Sequence, residues 1–434
     1  MKCRWSILIQ AAVVTFTQVA CADNYLQATE SQGQEITAAY FGVHFHRLLV
    51  LPHENAVQTL WPPLSFGTVR LWDSVTRWAD IAPHGGVWDF ERVDHYVNTA
   101  VAHGATVLYT LGSTPRWASA RPNEACPYGQ GCGAEPVRLA HWEEYIRRTA
   151  QRYGKRIAAY ELWNEPNFSD IPRDRGISGF YTGSVFQMVE MARVARKVLD
   201  DYSPDAKLCT PGFVNGTDRL DLFLAAGGKK YVQAICYHLY SENSEHFVRQ
   251  ILEVRSIMKR HGLEHLALWN TETGVETLSK NDPSSGIAAR SPEEAVARMS
   301  QMLILGAATG LGRFDYYAWD NERSGMVSST GSRLAGYEMM QRLQKWLLGA
   351  RLKSCRANGV VVLCDGERGL DRFILAWAAK SVDERSIIVP KGWRIAAAES
   401  LTGKIVALAS KRDAESLILG SLPTRFMLER VVRP

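Results

Sequence analysis

The feature that most constrains the fold is a regular alternation of short apolar runs with longer segments of mixed polarity. Eight apolar runs of strand length follow one another along the chain, at residues 39–44, 68–72, 106–111, 157–164, 207–211, 234–238, 266–271 and 314–319. Between them, apolar residues recur at three- and four-residue spacing, most clearly at 142–153, 185–201, 247–261, 292–309 and 336–348. Strands alternating with amphipathic helices in eight units predict an α/β fold, a (β/α)8 TIM barrel.

The character of the chain changes after Leu348. Four runs rich in β-branched or aromatic residues follow, separated by polar or glycine-containing turns, at 360–363, 372–377, 386–389 and 404–408. We therefore expect a barrel at 23–348 and a small C-terminal all-β sandwich domain at 349–434, packed on the barrel.

The first 22 residues have the pattern of an export signal. Two basic residues precede an apolar run at 6–20 that is too short to span a membrane comfortably, and small residues flank Cys21. We expect cleavage after Ala22 and a periplasmic or secreted protein. Lipidation of Cys21 is the alternative, but Gln18 stands where a lipoprotein signal usually carries an aliphatic residue.

Six of the eight cysteines lie beyond this signal, an even number that suits an oxidising compartment. We expect two local disulfides, one pinning a short loop and one across a hairpin: Cys126 with Cys132, and Cys355 with Cys364. Cys209 and Cys236 fall on successive predicted strands, where they either bridge or remain buried thiols. Paired C-x-x-C spacing does not occur in the sequence, which disfavours zinc.

Composition and charge exclude some partners. The chain has 434 residues, 46% of them hydrophobic and 22% charged, which is enough to bury a large core. Its formal net charge is only +5, and its basic residues are scattered rather than clustered. Nucleic acid is therefore not an expected partner.

Two glutamates, Glu165 and Glu272, each end an apolar run. Cleavage of a glycosidic bond needs two carboxylates facing each other across that bond. Because the carboxyl ends of barrel strands meet at one face, both glutamates should reach the same mouth. Alternation along the fourth strand predicts Glu165, Trp163 and Glu161 on one face. Glu161 would then be a buried charge that needs a partner, for which Arg70 is the candidate.

At these residues the chain resembles clan A glycoside hydrolases, and within that clan most closely family 39. The motifs that carry the resemblance fall in the family's order on successive strands: Asn164-Glu165-Pro166, His238-Leu239-Tyr240, Trp269-Asn270-Thr271-Glu272 and Tyr316-Tyr317-Ala318-Trp319. The runs at 87–94 and 109–117 are similar to the same family, so the resemblance covers roughly residues 36–350.

The resemblance implies a retaining β-glycosidase in which Glu165 is the general acid and then the base, and Glu272 is the nucleophile. For retention the two carboxyl groups must lie about 5 to 5.5 Å apart. Two negative charges at that distance repel, so the pKa of one carboxyl should rise, and the more hydrogen-bonded carboxylate should stay ionised.

Arg70 and Tyr240 are expected beside Glu272, where a guanidinium and a phenol would favour the ionised carboxylate. Arg70 could instead pair only with Glu161, and Tyr240 could be ordinary packing. By the family pattern, Asn164 would hold the sugar hydroxyl next to the reacting carbon, although it could also cap the following turn.

Four further residues are candidates for substrate contact. His238 shares a face with Tyr240 and is expected to line the mouth, with a structural histidine as the alternative. His44 is expected either to contact sugar or to pack in the core. Among thirteen tryptophans, Trp319 and Trp117 are the expected platforms on which a sugar ring stacks.

Three classes of function fit these residues: a retaining glycosidase, a glycan-binding protein that has lost turnover, and a metal-dependent hydrolase. Intact Glu165 and Glu272 argue against the second. The pair His44 and His46 suggests the third, since amidohydrolase barrels begin with H-x-H. The carboxyl ends of the fourth and fifth predicted strands supply no lysine or histidine to complete such a site.

The family resemblance also bears on substrate. Family 39 includes exo-acting xylosidases, iduronidases and endo-acting enzymes that cut bacterial exopolysaccharides. An export signal with one barrel and one compact β-domain resembles the last group best. We expect an endo-β-glycosidase acting on a biofilm polysaccharide, with an exo-acting, xylosidase-like enzyme as the alternative. We expect a monomer that binds a polysaccharide or oligosaccharide and needs no metal, cofactor or membrane span.

Overall fold

The structure is a computed structural model that describes residues 33–277, 290–321, 324–358, 361–378, 382–383, 387, 389–407 and 418–431. The predicted export signal, including Cys21, lies outside the described residues.

Eight parallel strands close into a barrel in the order β1-β8-β7-β6-β5-β4-β3-β2, with β2 pairing back to β1. In chain order they are β1 (Phe41–Val43), β2 (Thr68–Leu71), β3 (Thr106–Thr110), β4 (Ile157–Glu161), β5 (Lys207–Cys209), β6 (Ala234–His238), β7 (Ala267–Thr273) and β8 (Arg313–Tyr316). The predicted barrel is therefore confirmed. Most strands end earlier than predicted, and the largest differences, three residues each, are at β4, which ends at Glu161, and at β8, which ends at Tyr316. These two differences change the site.

Helices occupy the connections between the strands. They are α1 (Trp78–Ile81), α2 (Glu91–Ala102), α3 (Leu139–Tyr153), α4 (Val185–Tyr202), α5 (Asp218–Ala225), α6 (Ser244–Arg260), α7 (Pro292–Ala308) and α8 (Ala335–Leu347). The local sequence explains where two of these helices begin. Ser184 caps α4 in a capping box with Gln187, and Ser291 caps α7 in the same way with Glu294.

The barrel has an inner and an outer core. Inside, small and medium side chains of β3 to β6 form one buried cluster: Leu108, Ala159, Cys209, Ala234 and Cys236. Their neighbours along the strands point outward and join the helices in a second, much larger cluster. Because this alternation fixes which residues face inward, it also fixes which side chains reach the mouth at the carboxyl end.

The chain after α8 is all-β, as predicted. Its main sheet has six strands in the order β9-β10-β11-β14-β12-β13 and is antiparallel throughout. These are β9 (Arg351–Asn358), β10 (Val361–Arg368), β11 (Asp371–Ala378), β12 (Trp393–Ser400), β13 (Ile405–Ala407) and β14 (Thr424–Arg430). A two-stranded sheet pairs Val382–Asp383 with Ile418–Leu419. One face of the six-stranded sheet joins the core of the barrel, and the other joins a separate cluster that includes Leu419.

Both predicted disulfides are confirmed: Cys126–Cys132 and Cys355–Cys364. Cys209 and Cys236 are free buried thiols, the second of the two outcomes considered for them. The two disulfides indicate an oxidising compartment. Among the described residues, helices long and apolar enough to cross a membrane do not occur.

Candidate active site

Glu165 and Glu272 meet at the carboxyl end of the barrel. One carboxylate oxygen of each, together with a ring nitrogen of His238, lie within 4.8 Å of one another. Glu165 is half-buried, whereas Glu272 is only 7% exposed. The two carboxylates that the sequence singled out are therefore close enough to act on one bond.

Glu165 reaches the mouth from a turn rather than from a strand. Its backbone lies in the left-handed region, with φ of 42°, and its N–H donates to the carbonyl of Gly212 at 2.9 Å. A Cβ at Gly212 would come within 2.3 Å of His238 Nε2, so this close approach requires glycine.

The shared face predicted for Glu165, Trp163 and Glu161 is wrong. Because β4 ends at Glu161, strand alternation does not extend to the next four residues. Trp163 instead packs against Trp142 of α3 on the outside of the barrel and donates to the carbonyl of Phe180.

Glu272 lies within β7 and is held by two donors. Arg70 Nη1 donates to its Oε2 at 2.7 Å, and the hydroxyl of Tyr240 donates to its Oε1 at 2.9 Å. Both residues thus lie where the sequence predicted them. Burial raises the pKa of Glu272 to about 6, aided by the charge of Glu165, although His238 and Arg70 oppose the rise. The expectation of a low pKa for this hydrogen-bonded carboxylate therefore does not hold.

Arg70 connects three acceptors at the base of the mouth. Besides Glu272, its Nε donates to Glu161 and its Nη2 to Asn164 Oδ1, each at 2.7 Å. Arg70 therefore lies beside Glu272 as predicted and also pairs with Glu161, so the alternative in which it pairs only with Glu161 is wrong. Burial opposes the charge of Glu161, but Arg70 and His238 outweigh it and hold the pKa of that carboxyl below its usual value. Asn164 is 2% exposed, and its Oδ1 is taken up by Arg70.

His238 is fully buried and lies between carboxylates. Its Nδ1 is 2.8 Å from Glu165 Oε1 and 4.0 Å from Glu272 Oε1, and its Nε2 is 3.9 Å from Glu161 Oε1. Burial lowers its pKa, but Glu272 and Glu165 outweigh that effect, so the pKa of His238 is raised. A charged imidazole thus fits between the two candidate catalytic groups.

The other three residues predicted to contact substrate, His44, Trp117 and Trp319, lie in packed surroundings. His44 is 1% exposed, with Nε2 3.0 Å from the carbonyl of Thr271, and burial lowers its pKa. Trp117 donates to the carbonyl of Ala82 and packs edge-on against Trp78 and His141.

Trp319 is the clearest departure from expectation. It is 2% exposed, and its ring is surrounded by Phe45, Phe66 and Tyr337. Since β8 ends at Tyr316, alternation does not carry Trp319 to the mouth, and this geometry does not support a stacking platform there.

Three residues that the sequence analysis did not select lie together beside Glu272. Asp73 accepts from the hydroxyls of Tyr317 at 2.7 Å and Tyr128 at 2.6 Å, and its charge contributes to the raised pKa of Glu272. Tyr317 lies within the quoted motif Tyr316-Tyr317-Ala318-Trp319, from which only Trp319 was selected. The sequence around Asp73 and Tyr128 gives no indication that they belong to the site, because they meet through a contact between residues 55 positions apart.

Tyr128 lies on the loop that the disulfide closes. It occupies the turn between Ala125–Cys126 and Gly129–Gln130, which form a two-stranded hairpin. Trp72 Nε1 donates to its hydroxyl at 2.8 Å, and the guanidinium of Arg77 lies over its ring. The Cys126–Cys132 bridge therefore anchors a side chain of the mouth.

The cluster also has atoms of the kind that bind metals, one each from Glu165, His238 and Glu272. A cation there would occupy both carboxylates that bond cleavage requires. The metallohydrolase alternative would need His44 and His46 to face one ion. Instead, each of these rings packs against Tyr317 at 5.2 Å, and His44 Nε2 is directed to a backbone carbonyl.

The fold is similar to that of known glycoside hydrolases. A family 39 glycoside hydrolase from Bacteroides cellulosilyticus WH2 aligns with a TM-score of 0.62 at 16% identity, over 84% of this chain and 76% of that one. A GH30 endoxylanase from Clostridium papyrosolvens C71 aligns with 0.59 at 14%, over 92% and 98%. A GH39 β-xylosidase from Caulobacter crescentus aligns with 0.56 at 16%, over 84% and 89%.

Sequence comparison adds no closer relative, since neither a protein-family model nor a curated protein matches the chain. At these identities the structural likeness concerns the fold.

Proposed function

We propose that the protein is a retaining endo-β-glycosidase that hydrolyses a bacterial exopolysaccharide. The observation that carries the proposal is the close approach of Glu165 and Glu272, with one oxygen of each within 4.8 Å. Retaining enzymes hold their carboxyl groups about 5 to 5.5 Å apart, and inverting enzymes about 6.5 to 9.5 Å, to admit a water molecule. The short approach favours the retaining mechanism.

In the first step Glu272 attacks the anomeric carbon while Glu165 gives its proton to the departing oxygen. The glycosidic bond breaks, and a covalent glycosyl ester forms on Glu272. In the second step Glu165, now ionised, removes a proton from water, and the water oxygen attacks the same carbon. The ester bond breaks, which returns Glu272 as a carboxylate and Glu165 as an acid.

The surrounding groups give the two glutamates different tasks. Burial raises the pKa of Glu272 to about 6, so most of the nucleophile is charged above pH 6. Arg70 and Tyr240 each donate to Glu272, which favours that ionised form. His238 faces Glu165 through Nδ1 and is its positioning residue. Asn164, fixed by Arg70, directs its amide nitrogen to the sugar hydroxyl beside the reacting carbon.

The substrate class is inferred from the structural neighbours and the disulfides. The neighbours described as a xylosidase and an endoxylanase act on carbohydrate. The two disulfides fit an exported enzyme, and we include removal of residues 1–22 in the proposal, leaving a catalytic barrel at 23–348 and an accessory β-domain at 349–434. An exo-acting β-glycosidase is the second candidate.

Digestion of a panel of bacterial polysaccharides, with mass analysis of the products, tests both reaction and mode. We expect oligosaccharide products that disappear in Glu272→Ala and persist in the presence of a chelator. Release of monosaccharides alone would assign the exo mode. Binding without hydrolysis would favour the glycan-binding alternative, and loss of activity with a chelator would favour the metallohydrolase.

Stereochemistry provides an independent test. Proton NMR of the first product should show the β-anomer before mutarotation, because double displacement retains configuration. An initial α-anomer would overturn the retaining mechanism and leave the enzyme class intact.

A further inference from the structure

A small cavity lies on the C-terminal sheet, on the face turned away from the barrel. Its volume is about 280 Å³, just below the range of about 300 to 1,000 Å³ that is usual for small-molecule sites. Its lining includes Arg372 and Leu428, and Leu428 packs against the cluster that the barrel does not share. None of the residues that line the cavity has a part in the hydrolytic steps above, so it is separate from the candidate active site.

Strand pairing places two arginines and a tryptophan on this face. In the antiparallel ladder, Arg372 of β11 pairs with Leu428 of β14, and Arg430 of β14 pairs with Trp393 of β12. Because side chains alternate along a strand, residues 428 and 430 lie on one face of the sheet, together with their cross-strand partners. The guanidinium groups of Arg372 and Arg430 both lie over the ring of Trp393, with their central carbons 5.2 and 5.5 Å from its centroid.

These two guanidinium groups have no acidic partner. Within the described part of the chain, neither of them forms a salt bridge or donates a hydrogen bond. Asp365, which lines the cavity, is paired with Arg356. Glu367, the cross-strand partner of Arg372, is paired with Lys353 at 2.5 Å. The cavity and its edge therefore present positive charge that the described carboxylates do not neutralise.

Charge and shape together define the ligand. A guanidinium presents parallel N–H groups that match the oxygens of a carboxylate or a phosphate. Besides Arg372, the cavity has apolar walls from Pro390 and Leu428 and a hydroxyl from Ser354. Apolar walls with a few polar groups suit the ring of a sugar, and the small volume suits a single unit. We propose that this cavity binds an acidic sugar unit of a polysaccharide, with the anionic group of that unit on Arg372.

A site on this face of the sheet binds without cleaving. It holds the protein on a polysaccharide that carries acid groups, and the barrel then meets the same polysaccharide at a raised effective concentration. The binding itself requires neither Glu165 nor Glu272. The inference therefore goes beyond the proposed function, and it can be tested whether or not the protein hydrolyses a glycan.

Calorimetric titration of the whole protein at low ionic strength tests the site. The probes are glucuronate, glucose 6-phosphate, glucose and inorganic phosphate. We expect the better of the two acidic sugars to bind with a Kd of about 1 mM. Glucose and inorganic phosphate should bind about ten-fold more weakly, because the first lacks the charge and the second lacks the ring. The tighter acidic sugar identifies the anionic group as carboxylate or phosphate. Binding of glucose or of inorganic phosphate as tight as that of both acidic sugars would overturn the proposal.

Substitutions locate the binding. Arg372→Gln should raise the Kd for the acidic sugar about ten-fold, and Arg430→Gln about three-fold, since Arg430 lies beside the cavity and does not line it. Arg394→Gln is the matched control, because Arg394 is an exposed arginine of β12 that is paired with Glu429 at 2.6 Å, and its Kd should equal that of the wild type.

Thermal melting shows whether each variant is folded at the temperature of the titration. If Arg372→Gln is not, Arg430→Gln carries the test. An unchanged Kd in a folded Arg372→Gln, or an equal loss in Arg394→Gln, would place the ligand elsewhere and overturn the site. Failure of the protein to hydrolyse any glycan would remove the proposed function and leave this binding result standing.

Discussion

Glu272 is a buried carboxylate whose environment opposes its charge, and the protein bears that cost in stability. Its pKa rises from 4.5 to about 6 mainly because it is desolvated. Between these values the unfolded chain releases the proton first, so stability falls as pH rises through this window. The full loss, about 2 kcal/mol at 1.36 kcal/mol per pKa unit, is present above pH 6.

Glu272→Gln should therefore stabilise the protein while abolishing hydrolysis. We expect the free energy of unfolding to rise by about 2 kcal/mol at pH 7.5 and by little at pH 4, measured by urea denaturation. Arg70 keeps its ion pair with Glu161 in this variant, so it is not left as an unpaired buried charge. Glu143→Gln, at an exposed position of α3, should show no such pH dependence. Equal stabilisation at both pH values would contradict the assignment.

Tyr240 should set the acid side of the pH–activity profile. We expect kcat/KM of the wild-type enzyme to rise with pH through about 6, as Glu272 loses its proton. Tyr240→Phe removes a donor to the ionised form, which is worth about 1.5 to 3 kcal/mol, and should move this limb roughly one pH unit or more higher. Tyr237→Phe, three residues earlier on β6 but packed in the outer core, should leave the limb in place. A limb that stays near pH 6 in Tyr240→Phe would remove Tyr240 from this role.

At the residue scale, a contact could be predicted where a buried charge required a partner of opposite charge. A buried Glu161 needed a cation, and Arg70 is that cation. The expectation that tryptophans form the stacking platforms was a poorer guide, since it selected Trp319 and not Tyr317. Which of two aromatic residues faces the mouth depends on where β8 ends, and the apolar pattern does not fix that position.

At the scale of elements, the apolar runs located all eight barrel strands but overextended β4 and β8 at their carboxyl ends. The site lies at these carboxyl ends. An error of a few residues in a predicted strand end therefore changes the predicted orientation of the side chains that follow it. Loop contacts were beyond prediction for a different reason. Tyr128 meets Asp73 only because β2 and β3 pair side by side, which brings the loops that follow them together.

The Cys126–Cys132 loop should therefore affect catalysis as well as stability. Each disulfide closes a short loop and should contribute about 2 to 3 kcal/mol to unfolding. Replacing both Cys126 and Cys132 by serine should also lower kcat/KM about ten-fold or more, because Tyr128 loses its anchor beside Asp73.

The matched control is the variant in which both Cys355 and Cys364 are replaced by serine. The disulfide between these two residues closes a hairpin of the C-terminal sheet. It should lose similar stability in a thermal melt and keep its kcat/KM, with rates measured below both melting temperatures. Equal rates in the two double variants would show that the loop does not position the mouth.

At the scale of the whole molecule, the C-terminal sheet shares a core with the barrel. Leu352, Phe373 and Trp377 of the sheet belong to the same buried cluster as Trp346 and Leu347 of α8. Composition predicted an all-β unit after α8, because strand residues and turns are local signals. The side chains that join it to the barrel depend on tertiary packing and could not be predicted from those signals.

Glu399 of β12 is the polar centre of this junction. It is 3% exposed and accepts from Trp346 Nε1 at 2.9 Å, Arg342 Nη1 at 2.6 Å and Lys345 Nζ at 3.2 Å. Burial opposes its charge, but these donors outweigh burial and lower its pKa, so the stability that it contributes is present above about pH 4.5 and is lost at lower pH.

Glu399→Ala should cost about 1 to 3 kcal/mol of unfolding free energy at pH 7, because it leaves the buried N–H of Trp346 without an acceptor. Glu367→Ala is the matched control, since Glu367 forms an exposed pair with Lys353 in the same sheet and should change stability by less than about 0.5 kcal/mol. Urea denaturation, followed by both tryptophan fluorescence and hydrolytic activity, tests whether the sheet and the barrel unfold together. If the sheet and barrel unfold as one unit, both signals should shift together in Glu399→Ala. A shift of the fluorescence transition to lower urea with an unchanged activity transition would show instead that the barrel remains folded without the sheet.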